Sequence, residues 1–170
     1  MSLSVSPSAS VSPSASVSLS VSPSASISAS PSPSAGYKEY TRGDYAVLPT
    51  DSNNLETNYS GQDVTDVATD NDVYVAQSGT DEFVLHQYKD FIGDKGTATL
   101  TWKGRTNLAS SLSTVYLQIY NYDSDEWDTV DSDDSSAVDT KFTLTASMAD
   151  LTNYKDDTNV ISCRIYQEAV

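Results

Sequence analysis

Little in this chain can carry out covalent chemistry. Its 170 residues include one cysteine and one histidine, and no glycine-rich phosphate loop. A lone cysteine excludes an internal disulfide framework, and a lone histidine with no second His and no Cys pair excludes the usual zinc sites. No Gly-x-Ser-x-Gly elbow accompanies that histidine, so the sequence offers nothing that points to a nucleophilic triad. There is no run of 18 apolar residues, hence no helical membrane span. Lysine and arginine number 9 against 24 acidic residues, for a net charge of −15, and a surface of that sign repels nucleic acid and anionic membrane. The start lacks the charged and apolar regions of a secretory signal. The expectation is therefore a removed leader, another export route, or a fragment. The chain reads as a non-enzyme with no cofactor, calcium being the one ion its acidic loops suggest.

What is present begins with an unusual tail. From Ser2 to Ser34 every even position is serine, and every odd position is Val, Leu, Ile, Ala or Pro. Ser, Ala and Pro bury too little surface to offset the entropy of ordering, so residues 1–35 are not expected to fold alone. The irregularities in the repeat separate two extended readings. Val5, Val11 and Val17 are spaced by six, but Val21 follows Val17 by four. Both spacings keep odd–even parity, whereas four breaks the threefold phase of polyproline II. Parity favours a one-sided strand with Val5, Val11, Val17, Leu19, Val21 and Ile27 on one face. The prolines at 7, 13, 23, 31 and 33 oppose a central strand, and a flexible or O-glycosylated Ser/Pro stalk is the competing reading. Fully extended, the tail reaches roughly 115 Å at about 3.3 Å per residue. A domain of the size that follows has a radius of gyration of about 14 Å. The tail can pass its own domain and reach another.

Residues 36–170 carry all the charge and make one domain of ordinary size. A short strand is expected at Tyr45–Leu48. Further strands are expected at Val64–Ala68, Val73–Gln77, Phe83–Tyr88, Thr97–Lys103, Val115–Tyr122, Trp127–Val130, Lys141–Ala146 and Val160–Tyr166. They are rich in Val, Thr, Tyr and Phe and are separated by Gly, Asp, Asn and Ser. Ser147–Tyr154 is the one candidate for a helical turn. Ala98, Leu100 and Trp102 oppose three threonines; Val115, Leu117 and Ile119 oppose Tyr116, Gln118, Tyr120 and Tyr122. The expected fold is all-β: an antiparallel β-sandwich of about eight strands, a jelly roll, behind an extended low-complexity tail.

Two resemblances follow from particular residues. The hairpin Val115–Val130 with its central Trp127, then Phe142-Thr-Leu-Thr, then Val160–Tyr166, resembles the second half of galactose-binding-like jelly-roll domains. That family includes carbohydrate-binding modules and adhesive domains, many of them non-catalytic, so the resemblance implies a binding or structural role. The tail resembles the Ser-Pro-Ser-Ala repeats that precede surface and fibre domains of microbial and phage proteins.

The candidate sites are few. Tyr116, Tyr120 and Tyr122 are expected on the outward sheet face, available to sugar rings or to another subunit, or engaged in ordinary cross-strand pairs. Asp123, Asp125, Asp131 and Asp133 offer clustered hard oxygens for calcium, though without the EF-hand spacing, and turns favour Asp in any case. Asp125 and Glu126 are the nearest approach to a glycosidase pair, which any acidic loop would match. Asn58-Tyr59-Ser60 is a glycosylation sequon at Asn58. Arg42-Gly43-Asp44 spells an integrin-type tripeptide, a match short enough to arise by chance. His86 and Cys163 are expected to be structural, the cysteine a buried inert thiol.

The expected function is an extracellular structural subunit of a filament, pilus-like fibre or surface appendage. Its partners would be identical subunits, in a homopolymer joined through the tail. The alternative is a carbohydrate-binding or adhesive module on a glycosylated stalk, including a phage fibre tip on a virion, with glycans as partners.

Overall fold

The computed structural model describes residues 36–79 and 82–168, which belong to one compact unit, Ser32–Val170. The tail residues Val5, Val11, Val17, Leu19, Val21 and Ile27 lie outside the described residues. The elements are β1 (Lys38–Tyr45), β2 (Thr57–Asn58), α1 (Gly61–Val67), β3 (Phe83–Phe91), β4 (Ala98–Gly104), β5 (Val115–Asn121), β6 (Glu126–Asp133), β7 (Phe142–Met148) and β8 (Val160–Glu168). All pairing is antiparallel, in a six-stranded sheet of order β2-β1-β3-β8-β5-β6 and a two-stranded sheet of β4 and β7. The pairs β3·β8, β4·β7 and β5·β6 are nested one inside the next.

Alternation builds the core. Val115, Leu117 and Ile119 of β5 and Ile161, Cys163 and Ile165 of β8 face Leu100 of β4 and Leu144 of β7, with Ile92 and Leu151 closing one end. Trp102 and Phe142 meet edge-to-face at 5.3 Å between ring centroids, beside that core. Gly104 is required there, because a Cβ would fall 2.2 Å from the Trp102 ring. The β5–β6 hairpin closes on Asn121, whose side-chain oxygen accepts from the N–H groups of Asp123 at 3.1 Å and Ser124 at 3.3 Å. Asp125 completes the turn at φ 55°, a left-handed conformation that Asp tolerates.

Four expectations are corrected. Val64–Ala68 lies not in a strand but largely in α1, because Ser60 and Asp63 form a capping box that satisfies the first N–H groups. Val73–Gln77 has no regular structure and is held by side chains: Asn71 accepts from Val73 N–H, and Arg42 Nη1 donates to the Ala76 carbonyl. The strand expected at Tyr45–Leu48 lies upstream, at Lys38–Tyr45, where β3 recruits a charged sequence by ladder pairing. Ser147–Tyr154 is no helix, since β7 runs through Met148 before a turn.

Cys163 is fully buried, and burial pushes its thiol up to about 12. A thiol reagent is therefore expected to leave the native protein unlabelled at neutral pH and to react fully in denaturant. Rapid labelling of native protein would contradict this packing.

Candidate functional site

The second face of the six-stranded sheet carries Tyr116, Tyr120, Trp127 and Tyr166, and the chain covers it itself. Residues 46–56, which have no strand or helix, lie across it under side-chain control. Leu55 N–H donates to Thr41 Oγ1 at 3.1 Å, and Glu56 N–H to Tyr45 Oη at 3.0 Å. Gln87 Nε2 reaches the Ser52 carbonyl at 3.0 Å, and Trp127 Nε1 the Asp51 carbonyl at 3.1 Å.

Arg164 is at the centre of this arrangement. It is only 3% exposed, in a chain of strongly negative charge, yet it pairs with no carboxylate among the described residues. Its Nε donates to Gln118 Oε1 at 2.8 Å and its Nη1 to the Pro49 carbonyl at 2.5 Å. Its guanidinium lies 4.2 Å from the Trp127 ring centroid and 5.5 Å from that of Tyr166. Two π faces and two neutral acceptors thus replace a counter-ion. Burial lowers the guanidinium pKa to about 10, still charged at neutral pH.

The three tyrosines are placed by the same system. Tyr116 stacks on Tyr166 at 5.0 Å, and Tyr120 is buried edge-on between Tyr122 at 4.9 Å and Trp127 at 5.1 Å. The expectation of an outward stripe is corrected, because residues 46–56 fold over that face and much of the ring surface is already used internally. What remains open is a cleft of about 420 Å³ between Leu48–Thr50 and the side chains of Gln118, Asp125, Glu126, Trp127 and Arg164.

The other sequence-predicted residues are scattered. Among the described residues no group of three or more His, Cys, Asp or Glu is arranged to hold a metal. Asp123 and Asp125 lie exposed in the hairpin turn, whereas Asp131 accepts from Thr145 N–H and Asp133 accepts from Ser110 Oγ and Ser136 N–H. Two of the four carboxylates named for calcium, those of Asp131 and Asp133, thus already accept from neighbouring donors. Asn58 is exposed, opposite Thr41 in the β1–β2 ladder. Arg42-Gly43-Asp44 lies inside β1, with Gly43 buried and Asp44 accepting from Gln77 Nε2 at 2.8 Å, so it is not displayed on a loop tip. His86 Nδ1 meets Tyr59 Oη at 2.5 Å, and burial lowers the imidazole pKa to about 4 while raising the phenol's.

Sheet edges complete the inventory, because an edge exposes unpaired N–H and C=O groups that proteins either blunt or use. The β1 edge is shortened by β2 and crossed by residues 76–77. The β6 edge carries Asp128, Asp131 and Asp133 and a bulge at Val130, where the register jumps from Leu117↔Asp131 to Gln118↔Thr129. On the outer edge of β7, Thr145 N–H is plugged by Asp131 Oδ2 at 2.7 Å. Among the described residues the outer edge of β4 has no such device. The Leu100 carbonyl accepts from Thr145 Oγ1 and so points at β7; alternation then turns the backbone groups of Thr99, Thr101 and Lys103 outward. Among the described residues none of those outward groups is hydrogen-bonded. Their side chains are engaged elsewhere: the Thr101 hydroxyl meets that of Thr145 across the ladder, and Lys103 pairs with Asp70 at 3.0 Å.

No family model, curated protein or solved structure matches this chain. Sequence reasoning missed both Arg164 and the β4 edge. An arginine inside an otherwise apolar closing strand was the available signal for the first, and nothing in β4 itself distinguishes the second.

Two predictions follow from these contacts. Arg164→Ala leaves the Pro49 carbonyl and Gln118 Oε1 without their donors and is expected to cost about 2–4 kcal/mol in urea unfolding. Arg164→Lys should not restore it, since an ammonium lacks the planar stacking surface. For His86, the folded pKa lies below the ordinary value near 6.5, so between those values the unfolded chain binds more protons. Its contribution is complete above pH 6.5 and falls as pH drops toward 4, by at most about 1.4 kcal/mol per pH unit. Thermal melts from pH 6.5 to 5 should therefore be flatter for His86→Gln than for the parent chain.

Proposed function

We propose that this protein is an extracellular structural subunit of a filament or surface fibre, a jelly-roll block joined to identical copies through residues 1–35. The nested pairs β3·β8, β4·β7 and β5·β6 support the jelly-roll reading, since that fold is a long antiparallel ribbon wrapped on itself. The observation that carries the functional reading is the unguarded edge of β4, in a sheet of only two strands, on a chain with a 35-residue alternating tail. Small sheets gain from a further strand, and strand addition supplies both affinity through the main chain and register through alternate side chains. Head-to-tail docking of this kind, when it does not close into a ring, yields a filament.

Deleting residues 1–35 is expected to leave a folded monomer, judged by circular dichroism and thermal melting, that forms no filaments by light scattering or electron microscopy. Filaments formed equally well without the tail would refute the reading.

A second reading rests on the cleft beside Trp127, where an indole edge and the Asp125 and Glu126 carboxylates form a surface of the kind sugars bind. It requires glycan-array binding by the isolated domain that Trp127→Ala abolishes.

A further inference from the structure

We propose that the outer edge of β4 receives the tail of a second copy as a third, antiparallel strand, hydrogen-bonded through the backbone of the tail's serines. This inference rests on the homopolymer reading and adds the edge, the direction and the side of the tail that is used. In an extended chain, successive residues turn their N–H and C=O to opposite edges, just as they turn their side chains to opposite faces. All even residues from Ser2 to Ser34 are serine, and all five prolines of the tail are odd. Every missing N–H in an extended tail therefore lies on one edge. The serine edge keeps an unbroken row of donors and acceptors. The prolines oppose a strand bonded on both sides and are compatible with one bonded through its serines alone.

The same parity decides direction. On β4 the residues whose backbone points outward are Thr99, Thr101 and Lys103, whose side chains lie on the solvent face, while Leu100 and Trp102 face the core side. In an antiparallel ladder, residues that bond to each other sit opposite each other and share a face. Serines then align with the threonines, and the odd apolar residues align with Leu100 and Trp102. In a parallel ladder a bonding residue sits opposite a non-bonding one. Keeping the prolines off the ladder would then set serine beside Leu100 and apolar residues beside threonine. Over the repeat as a whole, prolines included, antiparallel addition alone satisfies proline placement and face polarity together.

The longest proline-free stretch after the first turn of the repeat is 14–22, which also carries Val17, Leu19 and Val21. It is the segment best suited to lie along β4. The 13 residues that follow it, 23–35, span about 43 Å when extended, more than the width of one domain. That length fits a bridge to a second copy.

The test is a proline pair at neighbouring positions in the full-length chain, Ser16→Pro and Ala15→Pro, read as the critical concentration for assembly. Ser16→Pro should raise it about tenfold or more, and Ala15→Pro should leave it within about twofold. Oxidative cross-linking locates the edge, using a Thr101→Cys chain mixed with a Ser16→Cys, Ser18→Cys or Ser20→Cys chain; Cys163 is buried and does not interfere. At least one mixture should give a disulfide-linked dimer, and Val17→Cys should give none. Equal effects of the two prolines, no dimer from any serine position, or a link that forms only within a single Thr101→Cys/Ser18→Cys chain would overturn this inference while leaving tail-dependent assembly standing. Assembly that survives deletion of the tail would instead overturn the homopolymer reading itself.

Discussion

The constraint that governs this domain is that its central strands are buried on both faces. In β5, Val115, Leu117 and Ile119 are almost wholly inaccessible on one side, and Gln118 and Tyr120 are nearly as buried on the other. In β8, Ile161, Cys163 and Ile165 alternate with Ser162 and Arg164, all of them buried. Two covers are therefore needed. The apolar face receives the small sheet of β4 and β7, held by burial and by the bond from Thr145 N–H to Asp131. The mixed polar and aromatic face receives residues 46–56, which lack a ladder of their own and are held by donors from the sheet. Arg164 reconciles the second cover with the charge of the chain. An arginine with a carboxylate partner would have added another buried ion, whereas indole and phenol faces accept it at lower desolvation cost.

The legible part of the fold was the part fixed by alternation. The strands β3 to β8 follow Val, Thr, Tyr and Phe patterning closely, because each must offer one apolar face to the core. What escaped had other causes. The charged β1 is a strand only because β3 lies beside it, a tertiary effect that local propensity cannot reveal. In residues 60–67 the capping chemistry of Ser60 and Asp63 outweighed the β preference of Val64 and Val67. The tyrosines of β5 were read correctly as one face, but whether that face is open depends on residues 46–56, distant in sequence and held by side chains.

The candidate site was legible to a lesser degree. Tail parity could be read from the chain alone, whereas the unbonded outer edge of β4 could not. That edge stands out only by comparison with the others: a shortened one beside β2, an acidic and bulged one at β6, and a plugged one at β7. The Asp131 carboxylate serves twice here, charging one edge and occupying the N–H of another. An acidic composition that suggested ion binding thus serves edge protection at Asp131.

The placement of the tail prolines has a consequence for the safety of such a sequence. Stacked cross-β aggregates need each strand to bond along both edges, so that every layer templates the next. Each proline removes an N–H from the odd edge and so hinders a further strand from pairing there. Thirty-five residues of alternating serine and apolar side chains would otherwise be a hazard at high local concentration. Proline confined to one parity interrupts propagation along that edge at five positions while leaving the serine edge whole.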